Sequence, residues 1–125
     1  MLDFSGFKKA EEKLFARLRE FFGDVPVSEC AVWGAGHQAF ALLAASGLNR
    51  KISAIIDSAL FKQNKFAPAG GVKIVSPEVL ENGNIRRIVI MAGSYSDEIA
   101  GKLGKTHPGK FKIAIESTFV GAIII

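Results

Sequence analysis

Gly34, Gly36 and Ala39 stand at the spacing G-x-G-x-x-G/A, directly after a wholly apolar run, Cys30-Ala31-Val32-Trp33. That arrangement suits phosphate binding. Gly34 permits a tight turn, and Gly36 lets the backbone approach a phosphate with no Cβ in the way. Ala39 lets the following helix press close to the strand. Free amides and the dipole at such a helix start favour an anion. Ala35 and His37 complete the turn. The His37 imidazole could donate to a phosphate, or it could simply face solvent. Asp57 falls twenty-three residues after Gly34, near the ~20-residue offset at which an acid reaches a ribose hydroxyl. The alternative is an aspartate that caps a turn at a strand end.

Lys62 and Lys65 could meet phosphates from the next loop. Ser94 and Tyr95 follow a later strand, at the carboxyl edge where ligands bind in open α/β folds. The candidate binding residues are therefore Gly34, Ala35, Gly36, His37, Asp57, Lys62, Lys65, Ser94 and Tyr95. No catalytic residue and no metal ligand stands out. There is no activated serine or cysteine, no carboxylate pair within one motif and no metal-ligand cluster. Cys30, inside an apolar run, reads as an inert core thiol. His107, before Pro108 in a polar turn, reads as a surface residue.

The elements that must position these residues alternate in type. Phe7, Leu14, Phe15, Leu18, Phe21 and Phe22 recur at helical spacing, with Lys8, Lys9, Glu11, Glu12, Lys13, Arg17 and Arg19 on the other face. Gly23 and Pro26 end that N-terminal amphipathic helix. A strand over 30–33, a helix from Gln38 to Ser46 closed by Gly47, and a strand from Ile52 to Ile56 follow. Residues 58–71, broken by Pro68, Gly70 and Gly71, read as a loop with at most one helical turn. Next come a strand over 72–75 and a helix begun by Ser76 as cap and Pro77 as first residue. A strand over 85–91, a helix from Ser96 to Leu103 and a strand over 111–115 complete the pattern.

Such alternation predicts a parallel sheet with right-handed crossovers. The expected fold is α/β: a Rossmann-like three-layer domain with a mostly parallel sheet of about five strands, preceded by the N-terminal helix. All 125 residues form one domain (helix 1–23, core 28–116, apolar tail 117–125). The Phe-rich helix face should dock on its own sheet or on a partner. The tail from Phe119 to Ile125 should either add a strand to the same sheet or make an oligomer contact.

Composition bounds the function. One cysteine forbids an internal disulfide, and two histidines with one cysteine argue against a closed zinc site. No secretion signal and no apolar run of membrane-spanning length is visible, so the expected setting is cytoplasmic. A net charge of +4, with scattered basic residues and no nucleic-acid-binding module, argues against nucleic acid as a partner.

From Val32 to about Leu103 the sequence resembles the C-terminal domain of sugar C-methyltransferases, enzymes that methylate nucleotide-linked deoxysugars. The resemblance rests on Trp33-Gly34-Ala35-Gly36, Ile56-Asp57, Lys62-Gln63-Asn64-Lys65-Phe66-Ala67-Pro68, Ser76-Pro77-Glu78 and Asp97-Glu98-Ile99. Departures from the family pattern fall at Gln38, Ala39-Phe40, Ala59-Leu60 and Gly93-Ser94, where polar family residues are replaced. The family's S-adenosylmethionine and zinc-binding domains have no counterpart in these 125 residues. The resemblance thus implies a non-catalytic, accessory module for a nucleotide sugar, its partner a methyltransferase or another sugar-biosynthesis protein. A looser resemblance to the N-terminal domain of sugar-nucleotide acetyltransferases points to the same ligand class. Two other readings stand beside it: a structural or interaction domain with a vestigial fingerprint, homo-oligomeric through the Phe-rich helix or the tail, and a small enzyme using NAD or a similar nucleotide.

Overall fold

In the computed structural model, residues 5–68, 70–117 and 121–124 are described. Residues 1–4 of the expected helix over 1–23, and 118–120 and 125 of the expected tail, lie outside them.

The strands β1 (Cys30–Trp33), β2 (Ala54–Ile56), β3 (Ile74–Val75), β4 (Arg87–Ile90), β5 (Lys112–Ser117) and β6 (Gly121–Ile124) form one sheet in the order β3-β2-β1-β4-β5-β6. The first five are parallel, and β6 turns back antiparallel on β5. This is the strand order of the dinucleotide-binding fold. Of the two alternatives for the tail, the strand on its own sheet is the one adopted.

Alternating side chains divide the core in two. Cys30, Val32, Ile55, Ile74, Val89 and Ala114 face one side, with α1 (Ser5–Phe22) and α2 (His37–Ser46) packed on them. Ala31, Ile56, Ile88, Ile90, Ile113 and Ile115 face the other, under α3 (Val79–Asn82) and α4 (Ser96–Thr106). Strands apolar on both faces are what a sheet covered twice requires.

The crossover rule assigns the helices. The step from β1 to β2 and the step from β4 to β5 run in opposite directions across the sheet. Right-handed connections therefore put α2 and α4 on opposite faces. That would leave the α2 side bare over β4 and β5, because no crossover helix lands there. The Phe-rich α1 fills it: Leu18, Phe21 and Phe22 are buried, and the two phenylalanine rings meet edge to face at 5.6 Å. Each buried side chain of this size contributes roughly 1.5–3 kcal/mol. Arg87, from the start of β4, donates to the Phe21 carbonyl and closes the C-terminal end of α1.

Among its described residues, the connection between β2 and β3 carries a 3₁₀ turn, Leu60–Lys62, and then doubles back with Phe66 bridged to Lys73. The next crossover departs from expectation. Ser76 does accept a hydrogen bond from the Glu78 amide at 3.2 Å, yet the α-helical part is the four residues of α3. Gly83, whose amide donates to the Val79 carbonyl, ends it after one turn. Several strands begin or end up to two residues from the apolar runs, because pairing with neighbours, not hydrophobicity, sets where each ladder stops. Among the described residues, no helix is long and apolar enough to cross a membrane.

Glu116 lies near the end of β5, opposite Ala122 of β6, and burial pushes its carboxyl above the ordinary range. The folded state therefore holds this proton more tightly than the unfolded chain, whose glutamates titrate near ~4.3. Stability is full below that value and falls as the pH rises through the elevated one. Glu116→Gln should melt higher than wild type at pH 7, and the two should converge at pH 4. A melting difference that does not change with pH would refute this.

Candidate functional site

The turn after β1 is built by close approach of strands. A Cβ on Gly34, whose φ is +123°, would sit 2.4 Å from the Met91 carbonyl oxygen at the end of β4. Glycine is thus demanded here by the sheet itself. The Gly34 amide donates to the Ile56 carbonyl at 2.8 Å. Gly36 is different. Its backbone is extended (φ −106°, ψ 171°), a conformation open to any residue, and a Cβ there would meet nothing within 4 Å. It is the N-cap of α2 and offers no side-chain cap. The first helical bond runs from the Phe40 amide to the Gly36 carbonyl at 3.0 Å, so the amides of His37, Gln38 and Ala39 precede the helical ladder. No acid lies in the first turn of α2.

Asp57, just beyond β2, joins the turn to the next loop. One carboxylate oxygen accepts from the Ala35 amide at 2.9 Å and the other from the Ala59 amide at 2.8 Å. Lys62 approaches the first oxygen at 3.8 Å, and the Gln63 side-chain amide donates to the Asp57 carbonyl at 2.9 Å. The turn-capping alternative is therefore part of its role. A carboxylate has about four acceptor positions, so these bonds leave capacity for another donor.

A cleft of about 860 Å³ opens beside this turn. Gly34, Ala35, Gly36, His37, Asp57, Lys62 and Tyr95 line it together; Lys65 and Ser94, both exposed, stand outside. Its floor is apolar, with Trp33, Leu80, Met91, Ile99 and Leu103. It continues between α3 and α4 to Glu81, Glu98, Lys102, Thr106 and His107. That extension was not legible in the sequence, because it depends on how α3 and α4 come together in the fold.

Two further residues differ from expectation or were missed by it. Ser96, almost fully buried, accepts from the Ala92 amide at 3.1 Å and fixes the turn from β4 into α4. His107 is not a free surface residue. Its Nε2 lies 3.1 Å from Glu81 Oε1, its Nδ1 lies 2.8 Å from Thr106 Oγ1, and its ring tilts against Phe111 at 5.3 Å. The aromatic four residues on was the only signal for it. Cys30 behaves as read: burial raises its thiol, which rests 3.7 Å from the Pro26 carbonyl. Among the described residues, no three His, Cys, Asp or Glu side chains are placed to hold a metal.

Fold and turn together define a Rossmann-like domain of the nucleotide-binding type, its cleft at the carboxyl edge where the strand order reverses. Within that class the chain belongs to the family of C-methyltransferase C-terminal domains, whose model matches residues 3–115. Solved structures share the fold at low identity. RSP, a Rex-family repressor, aligns over 85% of this chain and 60% of its own, at 13% identity and a TM-score of 0.53. RSP in complex with β-NADH aligns over 84% and 53%, at 16% identity and a TM-score of 0.54. UDP-D-quinovosamine 4-dehydrogenase from Vibrio fischeri aligns over 77% and 91%, at 16% identity and a TM-score of 0.54. The chain thus spans little more than half of the Rex-family repressor. No curated protein matches it significantly.

Removing the Asp57 carboxylate leaves the Ala35 and Ala59 amides without their acceptor. Asp57→Ala should cost about 2–4 kcal/mol in urea unfolding, and Asp57→Asn, which keeps one acceptor, about half as much. A loss below about 1 kcal/mol for the alanine variant would show that the latch is not formed.

Proposed function

We propose that the domain is a binding module for a nucleotide, in the first place a nucleotide sugar, serving methyl-transfer chemistry carried by another domain or chain. The observation that carries this reading is Gly36. Neither backbone strain nor packing requires glycine there, yet the position opens on the cleft at an uncapped helix start. A closely approaching phosphate would require it. Lys62, which lines the cleft beside Asp57, supplies an ammonium for that phosphate, and the spare acceptor capacity of Asp57 suits a ribose hydroxyl. His37, first in the helix, adds a possible donor, and the exposed Tyr95 ring offers a face for stacking. Lys65 and Ser94 take no part.

Family membership supports a sugar-methylation context. The fold is shared with a repressor complexed with β-NADH and with a dehydrogenase named for a UDP-sugar, so NAD is the ligand to test beside nucleotide sugars. One observation favours a second reading, an interaction domain. Leu60, Phe61 and Phe66 are 83%, 73% and 65% exposed on one loop, more apolar surface than a loop needs.

A thermal-shift comparison of wild type with Gly36→Val separates the two. The substitution fills open space and should cost no more than about 1 kcal/mol through the weaker N-cap. UDP-glucose, dTDP-glucose or NAD at a hundredfold excess over its dissociation constant should stabilise the wild type by about 2.7 kcal/mol, and the variant should lose that shift. Equal shifts in both proteins would move the ligand off the glycine turn. No shift in the wild type would refute nucleotide binding and leave the interaction reading standing.

A further inference from the structure

We infer that Leu60, Phe61 and Phe66, together with Lys65 and Lys73, dock the protein on the surface of an anionic lipid bilayer. The apolar side chains enter the headgroup layer, and the two ammoniums meet its negative charge. The inference draws on the exposed loop after β2 and holds whether or not the glycine turn binds a nucleotide.

Backbone bonds hold these side chains out. The turn Leu60–Lys62 is fixed by the Lys62 amide on the Ala59 carbonyl at 3.0 Å and by the Gln63 side chain on the Asp57 carbonyl at 2.9 Å. The residues after it run antiparallel to the start of β3. The Asn64 amide donates to the Ile74 carbonyl, the Ile74 amide to the Lys65 carbonyl and the Ala67 amide to the Val72 carbonyl, each at 2.8 Å. Ala67 is buried, so alternation along this ribbon turns Phe66 outward, opposite Lys73. Leu60, Phe61 and Phe66 are thus presented to solvent by a bonded frame.

The charge around them has one sign. Between Ser58 and Pro77 the sequence holds Lys62, Lys65 and Lys73, and neither an acid nor an arginine. Lys62 is turned to Asp57; Lys65 and Lys73 are exposed and enter no ion pair among the described residues. Leucine and phenylalanine set among free lysines are the composition of a membrane-surface site: the apolar groups sink to the acyl boundary while the ammoniums stay with anionic headgroups. A protein interface is instead poor in lysine and takes its cations as arginine. A second copy docked loop to loop would bring the same lysines together, which like charge opposes.

Vesicle co-sedimentation of the full chain tests the site, with phosphatidylcholine vesicles set against vesicles holding about 30% phosphatidylserine. Wild type should bind the anionic vesicles at least about tenfold tighter than the neutral ones at ~0.15 M salt. Phe61→Ser combined with Phe66→Ser should lose at least about tenfold of that affinity. Lys65→Gln combined with Lys73→Gln should lose most of the preference for the anionic lipid. Lys51→Gln combined with Lys112→Gln removes the same charge at the amino edge and should change binding by less than about twofold. All six side chains are exposed, so each variant should melt within about 2 °C of wild type. No binding to anionic vesicles overturns the proposal. Binding that the serine variant retains, or that both lysine pairs weaken alike, overturns it too, since general charge attraction then accounts for it. A dimer in light scattering that the serine variant dissolves, without vesicle binding, gives the surface to a second copy and likewise overturns it. None of these results bears on nucleotide binding, which Gly36→Val tests.

Discussion

A parallel sheet forces each crossover helix to run back against the strands, so helix starts gather at the carboxyl edge and helix ends at the amino edge. Each helix brings a partial positive charge to the first and a partial negative charge to the second. This protein answers the negative ends with cations from other elements. Arg87 bonds the last turn of α1, Arg19 reaches the Ser46 carbonyl at the end of α2 at 3.4 Å, and Lys110 bonds the Leu80 carbonyl in α3. Much of the modest basic excess is thereby explained as helix closure, with no anionic partner needed at that edge.

At the carboxyl edge the answer is uneven, and the unevenness makes the site. The first turn of α4 holds Asp97 and Glu98, which meet its positive end from within. The first turn of α2 holds no acid and no capping side chain. The nearest carboxylate, Asp57, is turned to the amides of Ala35 and Ala59. It shapes the glycine turn before any ligand arrives, and a preformed turn avoids part of the ordering cost of binding. The positive end of α2 is thus held open beside Gly36 rather than closed by the chain itself.

The order of elements could be read from the sequence because apolar runs, glycine stops and a helix cap each signal locally. Cys30–Trp33 and the turn after it are visible as a strand entering a helix from composition alone, whereas the family resemblance rested chiefly on Lys62-Gln63 and Ser76-Pro77-Glu78 further along the chain. Pairing partners and lengths were less legible. Ser76-Pro77-Glu78 announces a helix start equally for one turn or four, and only Asn82-Gly83-Asn84 hinted that α3 would stop at once. The bonds of Asp57 were hidden for another reason: a spacing that suits a ribose also suits a backbone latch, and only the fold brings the Ala35 amide within 2.9 Å. Likewise His107 reads as a surface residue until α3 places Glu81 beside it.

The central claim is that the open positive end of α2 receives the anionic part of a ligand. Amide shift mapping by NMR during titration with UDP tests it most directly. The account predicts the largest changes at Gly36 to Ala39 and from Asp57 to Lys62, with the amino edge at Lys51, Arg86 and Lys112 unmoved. Changes centred on that basic edge, or none at the glycine turn, would contradict it.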